Sequence, residues 1–306
     1  MTKIFIDGSA GTTGLRIRER LADREGLDIL TLPEELRKDP EARRVALNSA
    51  DIAFLCLPDA AAIEAVSLID NPHTAIIDTS TAHRTAAGWT YGFPEIVGVD
   101  AIANSKRIAN PGCHASGFVA LVAPLVKAGI IAPDAKLTCF SLTGYSGGGK
   151  PMIAGYEAED RDPLLDAPRQ YGLTQKHKHL PEMAKVCGLT HDPVFCPIVG
   201  DFYSGMEVTV MLHGDDVKGD IETIKNVYRN TYVGALVHLC DEVNEGGFLS
   251  AAAMSGRDDM EITVHGNEER MILTARFDNL GKGASGAAIQ NMNILLGVDP
   301  TTGLVI

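Results

Sequence analysis

Lys3-Ile4-Phe5-Ile6-Asp7-Gly8-Ser9-Ala10-Gly11-Thr12-Thr13-Gly14 is the stretch on which the fold turns. An apolar strand enters three glycines spaced Gly8-x-x-Gly11-x-x-Gly14, after which Leu15, Ile17 and Leu21 recur at helical spacing. That order is strand, tight turn, helix. Working outward, Leu27 to Leu32 reads as a second strand, and beyond a charged loop Ile52-Ala53-Phe54-Leu55-Cys56-Leu57 forms a continuous apolar run ending at Pro58. A strand apolar at consecutive positions is one covered on both faces, as in parallel sheets. Ala60 to Leu68 follows as a helix and Thr74 to Ile77 as a strand closed by Asp78. The alternation predicts an α/β fold with a doubly wound parallel sheet over roughly the first hundred residues.

Beyond Cys113 the pattern changes. Ala115 to Lys127 suits a helix, whereas Met206 to His213, Glu261 to His265 and Met271 to Phe277 alternate or are rich in β-branched residues, with a helix at Ile221 to Tyr232 between them. The second half reads as α+β with a mainly antiparallel sheet. The tail from Ala284 to Leu296 is helical again, with Ala287, Ala288, Ile289, Met292 and Leu295 on overlapping faces. It is expected to pack back on the first domain. Residues 1–112 with 284–306 are therefore expected to form a Rossmann-like domain, and 113–283 an α+β domain.

The chain has 306 residues, 45% hydrophobic and 22% charged, which excludes a disordered, collagenous or disulfide-dense chain. With 27 Lys and Arg against 40 Asp and Glu its formal charge is −13, so nucleic acid and anionic membrane surfaces are not expected partners. No apolar run reaches the roughly 18 residues of a membrane span, and the first residues lead straight into a strand without a basic region and apolar stretch of signal length. None of the six cysteines forms a CxxC pair, and a cytoplasmic location is the expectation.

The glycine spacing departs from GxGxxG, but its physics is the same: a tight turn brings helix N-terminal N–H groups close to a pyrophosphate. A plain glycine-rich turn fits the three glycines alone; the flanking strand and helix favour a dinucleotide site. After the second strand, Leu32-Pro33-Glu34-Glu35-Leu36-Arg37-Lys38 offers two cations for a 2′-phosphate, tilting the cofactor from NAD to NADP, with a solvated charged loop as the other reading. In Asn110-Pro111-Gly112-Cys113-His114-Ala115-Ser116-Gly117 the thiol stands at a helix's positive end, where its pKa is expected to fall. A buried small hydrophobe is the alternative for any lone cysteine. Lys176-His177-Lys178-His179-Leu180-Pro181-Glu182 offers two histidines; no further ligand at suitable spacing accompanies them, so no metal is expected, and acid/base work beside a thiol is the better use. Asp78-Thr79-Ser80-Thr81-Ala82-His83-Arg84 follows a parallel strand, where Arg84 could clamp a phosphate or carboxylate. Thr143-Gly144-Tyr145-Ser146-Gly147-Gly148-Gly149-Lys150 lacks the P-loop pattern and reads as a flexible, anion-cradling loop.

Taken together these motifs resemble the N-acetyl-γ-glutamyl-phosphate reductase family, in its shorter type, from end to end. The resemblance rests on Gly8-x-x-Gly11-x-x-Gly14, Phe54-Leu55-Cys56-Leu57-Pro58-Asp59, Asn110-Pro111-Gly112-Cys113 with Ala115, Gly117 and Pro124, His177-Lys178-His179-x-Pro181-Glu182, and Asp278-Asn279-Leu280-x-Lys282-Gly283-Ala284-x-Gly286 leading to Gln290-Asn291-Met292-Asn293. His114 departs from the usual Phe or Tyr and Ser116 from the usual Thr. Of the longer type's Ser-Ala-Asp-Phe-Arg element only Ser80 and Arg84 carry across. The resemblance implies reduction of N-acetyl-glutamyl 5-phosphate by NADPH through a Cys113 thioester, in arginine biosynthesis, with His177 or His179 as acid/base and His177 slightly favoured. It implies cofactor contacts at Gly8, Ser9, Gly11, Thr12, Thr13, Gly14, Arg37, Lys38, Leu57, Pro58, Asn279 and Gly283. Substrate contacts would come from Ser80, Arg84, Asn110, Ser146, Gly147, Lys150 and Lys178. A homodimer or homotetramer is also implied. The rival readings are an aspartate-semialdehyde dehydrogenase, which shares fold and chemistry, a non-catalytic NADP-binding regulatory protein, and a thiol hydrolase that would need no glycine turn.

Overall fold

The structure, a computed structural model, describes residues 1–243 and 245–306. The chain divides into two compact units, Met1–Gly112 with Ala284–Gly303, and Cys113–Gly283 with Leu304–Ile306. The last three residues thus group with the second unit, not with the first as expected, because Val305 and Asp258 exchange two hydrogen bonds at 2.7 and 2.8 Å.

The first unit is built on β1 (Thr2–Asp7), α1 (Thr12–Leu21), β2 (Leu27–Leu30), α2 (Pro40–Ser49), β3 (Ile52–Leu55), α3 (Asp59–Ser67) and β4 (Ala75–Asp78), then β5 (Thr90–Tyr91), α4 (Pro94–Val97), α5 (Val99–Ala103) and β6 (Arg107–Ala109). The sheet order is β2-β1-β3-β4-β6-β5 and every neighbouring pair is parallel. All residues of β3 and β4 are buried, which is why their sequences do not alternate. The chain leaves β1 for β2 on one side and reaches β3 on the other, so the crevice between the ends of β1 and β3 is the switch point where such sheets bind ligands. Pro40 opens α2 and Asp39 caps it by accepting from the Ala42 N–H at 2.7 Å. The expected strand at Leu27–Leu32 ends two residues early.

The second unit contains α6 (Cys113–Lys127), β7 (Thr138–Gly144), α7 (Gly149–Glu157), β8 (Arg169–Gln170), α8 (Leu180–Cys187), β9 (Val194–Gly200), β10 (Met206–His213), α9 (Ile221–Thr231), β11 (Val237–Leu239), β12 (Met260–Asn267) and β13 (Arg270–Phe277). The chain then returns to the first unit for α10 (Gly286–Leu295). The seven strands run β11-β12-β13-β10-β7-β9-β8, with β11·β12 and β7·β9 parallel and the other pairs antiparallel. One face of this sheet packs on α6, whose residues His114 to Leu125 are all buried. A helix apolar all round has to be enclosed. Gly117 gives the closest approach: a Cβ there would lie 2.5 Å from Val208 and 2.9 Å from Phe277. Pro124 lies inside α6 and cannot bond the carbonyl of Ala120, four residues back. The Tyr232 hydroxyl donates to that carbonyl at 2.6 Å, and the Tyr228 hydroxyl to the neighbouring Leu121 carbonyl, also at 2.6 Å. Among the described residues no helix is long and apolar enough to cross a membrane.

Candidate active site

In the first unit the turn after β1 is set by contact between backbones. Gly8 has φ +85°, and a Cβ on it would sit 2.2 Å from the carbonyl oxygen of Cys56 at the end of β3. Gly14, in the first turn of α1, approaches Gly8 so closely that a Cβ would lie 2.4 Å from the Gly8 oxygen. The Gly11 N–H donates to that same oxygen at 3.0 Å. The result brings the N-terminus of α1 to the switch point, with Gly11 capping the helix and Thr12 and Thr13 as its first residues.

A cavity of about 800 Å³ opens beside this turn, lined among others by Gly8, Ser9, Ala10, Leu32, Leu57, Arg18, Arg37 and Lys38. Its lining includes a buried ion pair, Arg43 with Asp7 at 3.0 Å, and Arg43 also contacts the exposed carboxylate of Glu64 at 2.9 Å. Burial nevertheless raises the Asp7 carboxyl above its ordinary value. A backbone cradle that no Cβ could occupy, at a helix N-terminus and next to three cations, fits a dinucleotide carrying an extra phosphate. Arg18 was not foreseen; nothing in a helical Leu-Arg-Ile-Arg pattern says which arginine turns toward a pocket.

Ser80, Arg84 and Asn110 come together at the ends of β4 and β6, but as parts of an internal network. The Ser80 hydroxyl donates to Asp78 at 2.8 Å, and His83 meets the same carboxylate oxygen at 2.6 Å. Arg84 donates to the carbonyls of Asn110 and Thr79 at 2.9 and 3.0 Å. The Asn110 amide donates to the Ala284 carbonyl at 3.0 Å and accepts from Asn291 at 3.3 Å. Pro58 precedes α3 as its N-cap residue.

In the second unit Cys113 is the first residue of α6, and its Cβ is the nearest atom, at 3.1 Å, to where a Cβ on Gly283 would stand. Gly283 therefore borders Cys113 by lacking a side chain. The adjoining Asn279 accepts from the Gly205 N–H at 2.9 Å and donates to the Ser146 hydroxyl at 3.0 Å. Asp278, fully buried, accepts from Ser204, Gly256 and Leu280, which fixes the loop leaving β13.

A cluster of imidazoles forms around His114, the residue after Cys113. The His114 ring centroid is 5.7 Å from that of His177 and 5.6 Å from that of His179, and those two are 4.7 Å apart. His179 precedes α8 as its N-cap residue and is buried, whereas His177 is half-buried in the preceding turn. The His179 N–H donates to His177 Nδ1 at 3.2 Å. Gln175, with φ 54°, anchors this segment: its side-chain amide donates to the Phe195 carbonyl at 2.7 Å and accepts from the Phe195 N–H at 2.9 Å. It is the non-glycine residue held at positive φ among the described residues, strain that sits next to the candidate site. Burial takes His114 down to about 3, with His177 adding to the effect. Its Nδ1 meets the Ser141 hydroxyl and its Nε2 the Tyr171 hydroxyl, each at 2.6 Å. Ser141 and Tyr171 carry no motif and were not foreseen; His114 stood out only as a departure from the family pattern.

Burial also pushes the thiols of Cys56 and Cys240 up to about 12, and those of Cys139 and Cys187 upward. Such thiols stay protonated and inert at neutral pH.

The flexible loop expected at Thr143–Lys150 is instead the end of β7, a 3₁₀ turn at Tyr145–Gly148 and the start of α7. It is pinned by N–H bonds from Gly144, Tyr145 and Ser146 to the carbonyls of Gly205, Phe202 and Tyr203. Ser146 is buried; Gly147, Lys150 and Lys178 are exposed. His238, Cys240 and Glu261 bring ligand-type atoms within 4.8 Å of one another on neighbouring strands, but Arg276 donates twice to Glu261 and makes the cluster unfavourable to a cation.

Two family models match the chain. One described as semialdehyde dehydrogenase, NAD binding domain, covers residues 3–105, and one described as semialdehyde dehydrogenase, dimerisation domain, covers residues 113–279. Among solved structures, an aspartate semialdehyde dehydrogenase from Francisella tularensis is similar with a TM-score of 0.72 at 16% identity, covering 97% of this chain and 100% of its own. One from Candida albicans, solved with NADP, has a TM-score of 0.66 at 16% identity, covering 97% and 98%. The chain thus has the fold and the two domains of the semialdehyde dehydrogenases. Narrower similarity comes from proteins named N-acetyl-gamma-glutamyl-phosphate reductase: that of Mesorhizobium japonicum is 44% identical, covering 97% of this chain and 99% of its own, and that of Chelativorans sp. is 45% identical, covering 96% and 98%. The chain belongs to the N-acetyl-γ-glutamyl-phosphate reductase family.

Proposed function

We propose that the chain reduces N-acetyl-L-glutamyl 5-phosphate to N-acetyl-L-glutamate 5-semialdehyde and phosphate with NADPH, a step of arginine biosynthesis, through a thioester on Cys113. The observation that carries this reading is Cys113 as the first residue of α6, with the rings of His177 and His179 within 5.7 Å of that of its neighbour His114. The end of a helix favours negative charge on that sulfur and on an oxyanion formed beside it. The sulfur attacks the acyl carbon, the carbon–oxygen bond to phosphate breaks, and phosphate leaves with the electron pair. The glycine turn with Arg37 and Lys38 would hold NADPH, which would supply the hydride for reducing the thioester. Collapse of the resulting thiohemiacetal releases the aldehyde and returns the thiolate. The N–H of His179 on Nδ1 of His177 leaves the neutral ring's proton on Nε2, so His177 is the donor to the developing oxyanion. The substrate's anionic groups are met in this reading by Lys150 and Lys178, both exposed, and by Ser80, Arg84 and Asn110.

The reading includes a homodimer or homotetramer. The sheet face turned away from α6 leaves Phe140, Val194, Met211 and Ile272 between 41 and 56% exposed, an apolar area of the kind that oligomers cover. Light scattering that gives a monomer at working concentration would remove this part. The cysteines are all free, which suits a reducing compartment.

The reverse reaction tests the function. N-acetyl-glutamate semialdehyde, phosphate and NADP⁺ should yield NADPH only when phosphate is present, and aspartate semialdehyde should not substitute. Preference for aspartate semialdehyde would overturn the substrate assignment.

A further inference from the structure

We propose that Gln175 is a positioning residue whose side-chain amide stands in for a strand along the open edge of β9 and thereby holds His177 in place. The inference rests on the reading of His177 as the acid/base residue and adds the device that fixes it. One side of β9 is paired with β7 from Val194 to Gly200. On the other side β8 lies opposite Val199 and Ile198, and the Tyr171 N–H adds one bond to the Pro197 carbonyl at 3.0 Å. The chain then turns away at Gly172, with φ +65°, and the Gln175 N–H closes the turn on the Gly172 carbonyl at 2.9 Å. Within a strand the N–H and C=O of one residue point to the same side, and residues two apart share that side. Phe195 therefore presents both groups along the edge that β8 has left.

The Gln175 amide takes both, accepting from the Phe195 N–H at 2.9 Å and donating to the Phe195 carbonyl at 2.7 Å. A primary amide carries an acceptor and donors side by side, so it supplies the rung that the backbone no longer reaches. The backbone of Gln175 sits at φ 54°, a conformation a residue with a side chain adopts only at a cost. Such strain persists where the surroundings over-determine it, and here the clasp on Phe195 does so. Asparagine tolerates the left-handed region better, yet its side chain is one methylene shorter. Reach is therefore what glutamine offers at this position.

The clasp carries to His177, two residues on, by two routes. Phe195 is buried, and its ring meets that of His177 with centroids 5.1 Å apart and planes at 67°. The residue whose backbone Gln175 holds is thus the one against which the imidazole packs. Beyond His177 the chain is tied to the start of α8: the His179 N–H donates to His177 Nδ1 at 3.2 Å, and the Leu180 N–H to the His177 carbonyl at 3.1 Å. His177 therefore stands between two anchors, Gln175 on β9 and the first turn of α8. Gln175 is itself exposed, so replacing it opens no cavity in the core.

The test is Gln175→Asn, read first without substrate by the rate at which diethyl pyrocarbonate modifies His177 at neutral pH, assigned by fragmentation of its peptide. Loss of two hydrogen bonds should raise that rate about tenfold. His114, held by its own bonds to Ser141 and Tyr171, should react as slowly as in the wild type. In the reverse assay kcat should fall about tenfold or more through the displaced ring, with KM for NADP⁺ unchanged. In a His177→Asn background the same substitution should cause no further loss. An unchanged rate at His177, an equal rise at His114, an unchanged kcat or losses that multiply would each overturn the proposal. If the rate at His177 rises alone while the wild type itself fails the reverse assay, the clasp stands and the substrate reading falls.

Discussion

Replacing Gly8 by alanine tests the backbone logic of the first unit. The new Cβ would lie 2.2 Å from the Cys56 oxygen and 2.8 Å from its carbon, both backbone atoms at the end of β3. Ordinary contact begins near 3.4 Å, so turn and strand end must separate by about 1.2 Å. Such overpacking costs about 1–3 kcal/mol, and φ +85° adds about 1–2 kcal/mol for a residue with a side chain. The expected loss in urea unfolding is therefore about 2–5 kcal/mol. NADPH affinity by titration calorimetry should fall at least about tenfold, because the shift moves the very N–H groups that face the pyrophosphate. Gly11→Ala is the control: its Cβ would come no nearer than 3.5 Å to any atom and it has no positive φ, so stability should change little. If Gly8→Ala unfolds within about 0.5 kcal/mol of Gly11→Ala and binds NADPH equally well, the reasoning is refuted.

Arg43→Met strips the buried Asp7 of its cation and should cost about 3–5 kcal/mol at pH 7, read by urea unfolding. Burial raises Asp7 above 3.8, so the folded state holds that proton to higher pH than the unfolded chain; its contribution to stability is present at low pH and lost as pH rises through the folded value. The variant should move that loss to still higher pH, and an unchanged pH profile of unfolding would contradict the pairing. Tyr232→Phe leaves the Ala120 carbonyl without the partner that replaces the missing Pro124 N–H and should cost about 1–3 kcal/mol. Tyr228→Phe, whose acceptor is an ordinary helix carbonyl, should cost less, and the opposite order in thermal melts would contradict this account of α6. Removing both cations with Arg37→Ala and Lys38→Ala should weaken NADPH by about tenfold or more while leaving NADH unchanged; equal losses for both cofactors would take the 2′-phosphate away from this loop.

The parallel sheet was legible because its strands are buried on both faces, and Ile52–Leu55 and Ala75–Asp78 stand as unbroken apolar runs. The antiparallel strand Met206–His213 was legible for the opposite reason, since every second residue turns outward, whereas Arg270–Phe277 alternates only as far as Leu273 and is buried from there to its end. What escaped were short elements held by tertiary contact. The two-residue β5 has no pattern of its own, and Tyr145–Gly148 looks like a glycine loop although backbone bonds to Phe202–Gly205 fix it. At the candidate site, Cys113 and the histidine pair announce themselves by position and chemistry. Ser141, Tyr171 and Gln175 do not, because each acts through a partner far away in sequence: residue 114 for the first two, Phe195 for the third. Arg84 is legible as a cation beyond β4, but its bonds to the backbone carbonyls of Thr79 and Asn110 are not, because Asn110 is distant in sequence.

The covalent route through Cys113 is tested most directly by a single-turnover experiment. Enzyme mixed with N-acetyl-glutamate semialdehyde and NADP⁺ in the absence of phosphate should give a burst of one NADPH per chain and then stop, with the acyl group recovered on the Cys113 peptide. Adding phosphate should then release steady turnover. No burst, or an acyl group carried by any other residue, would contradict the account.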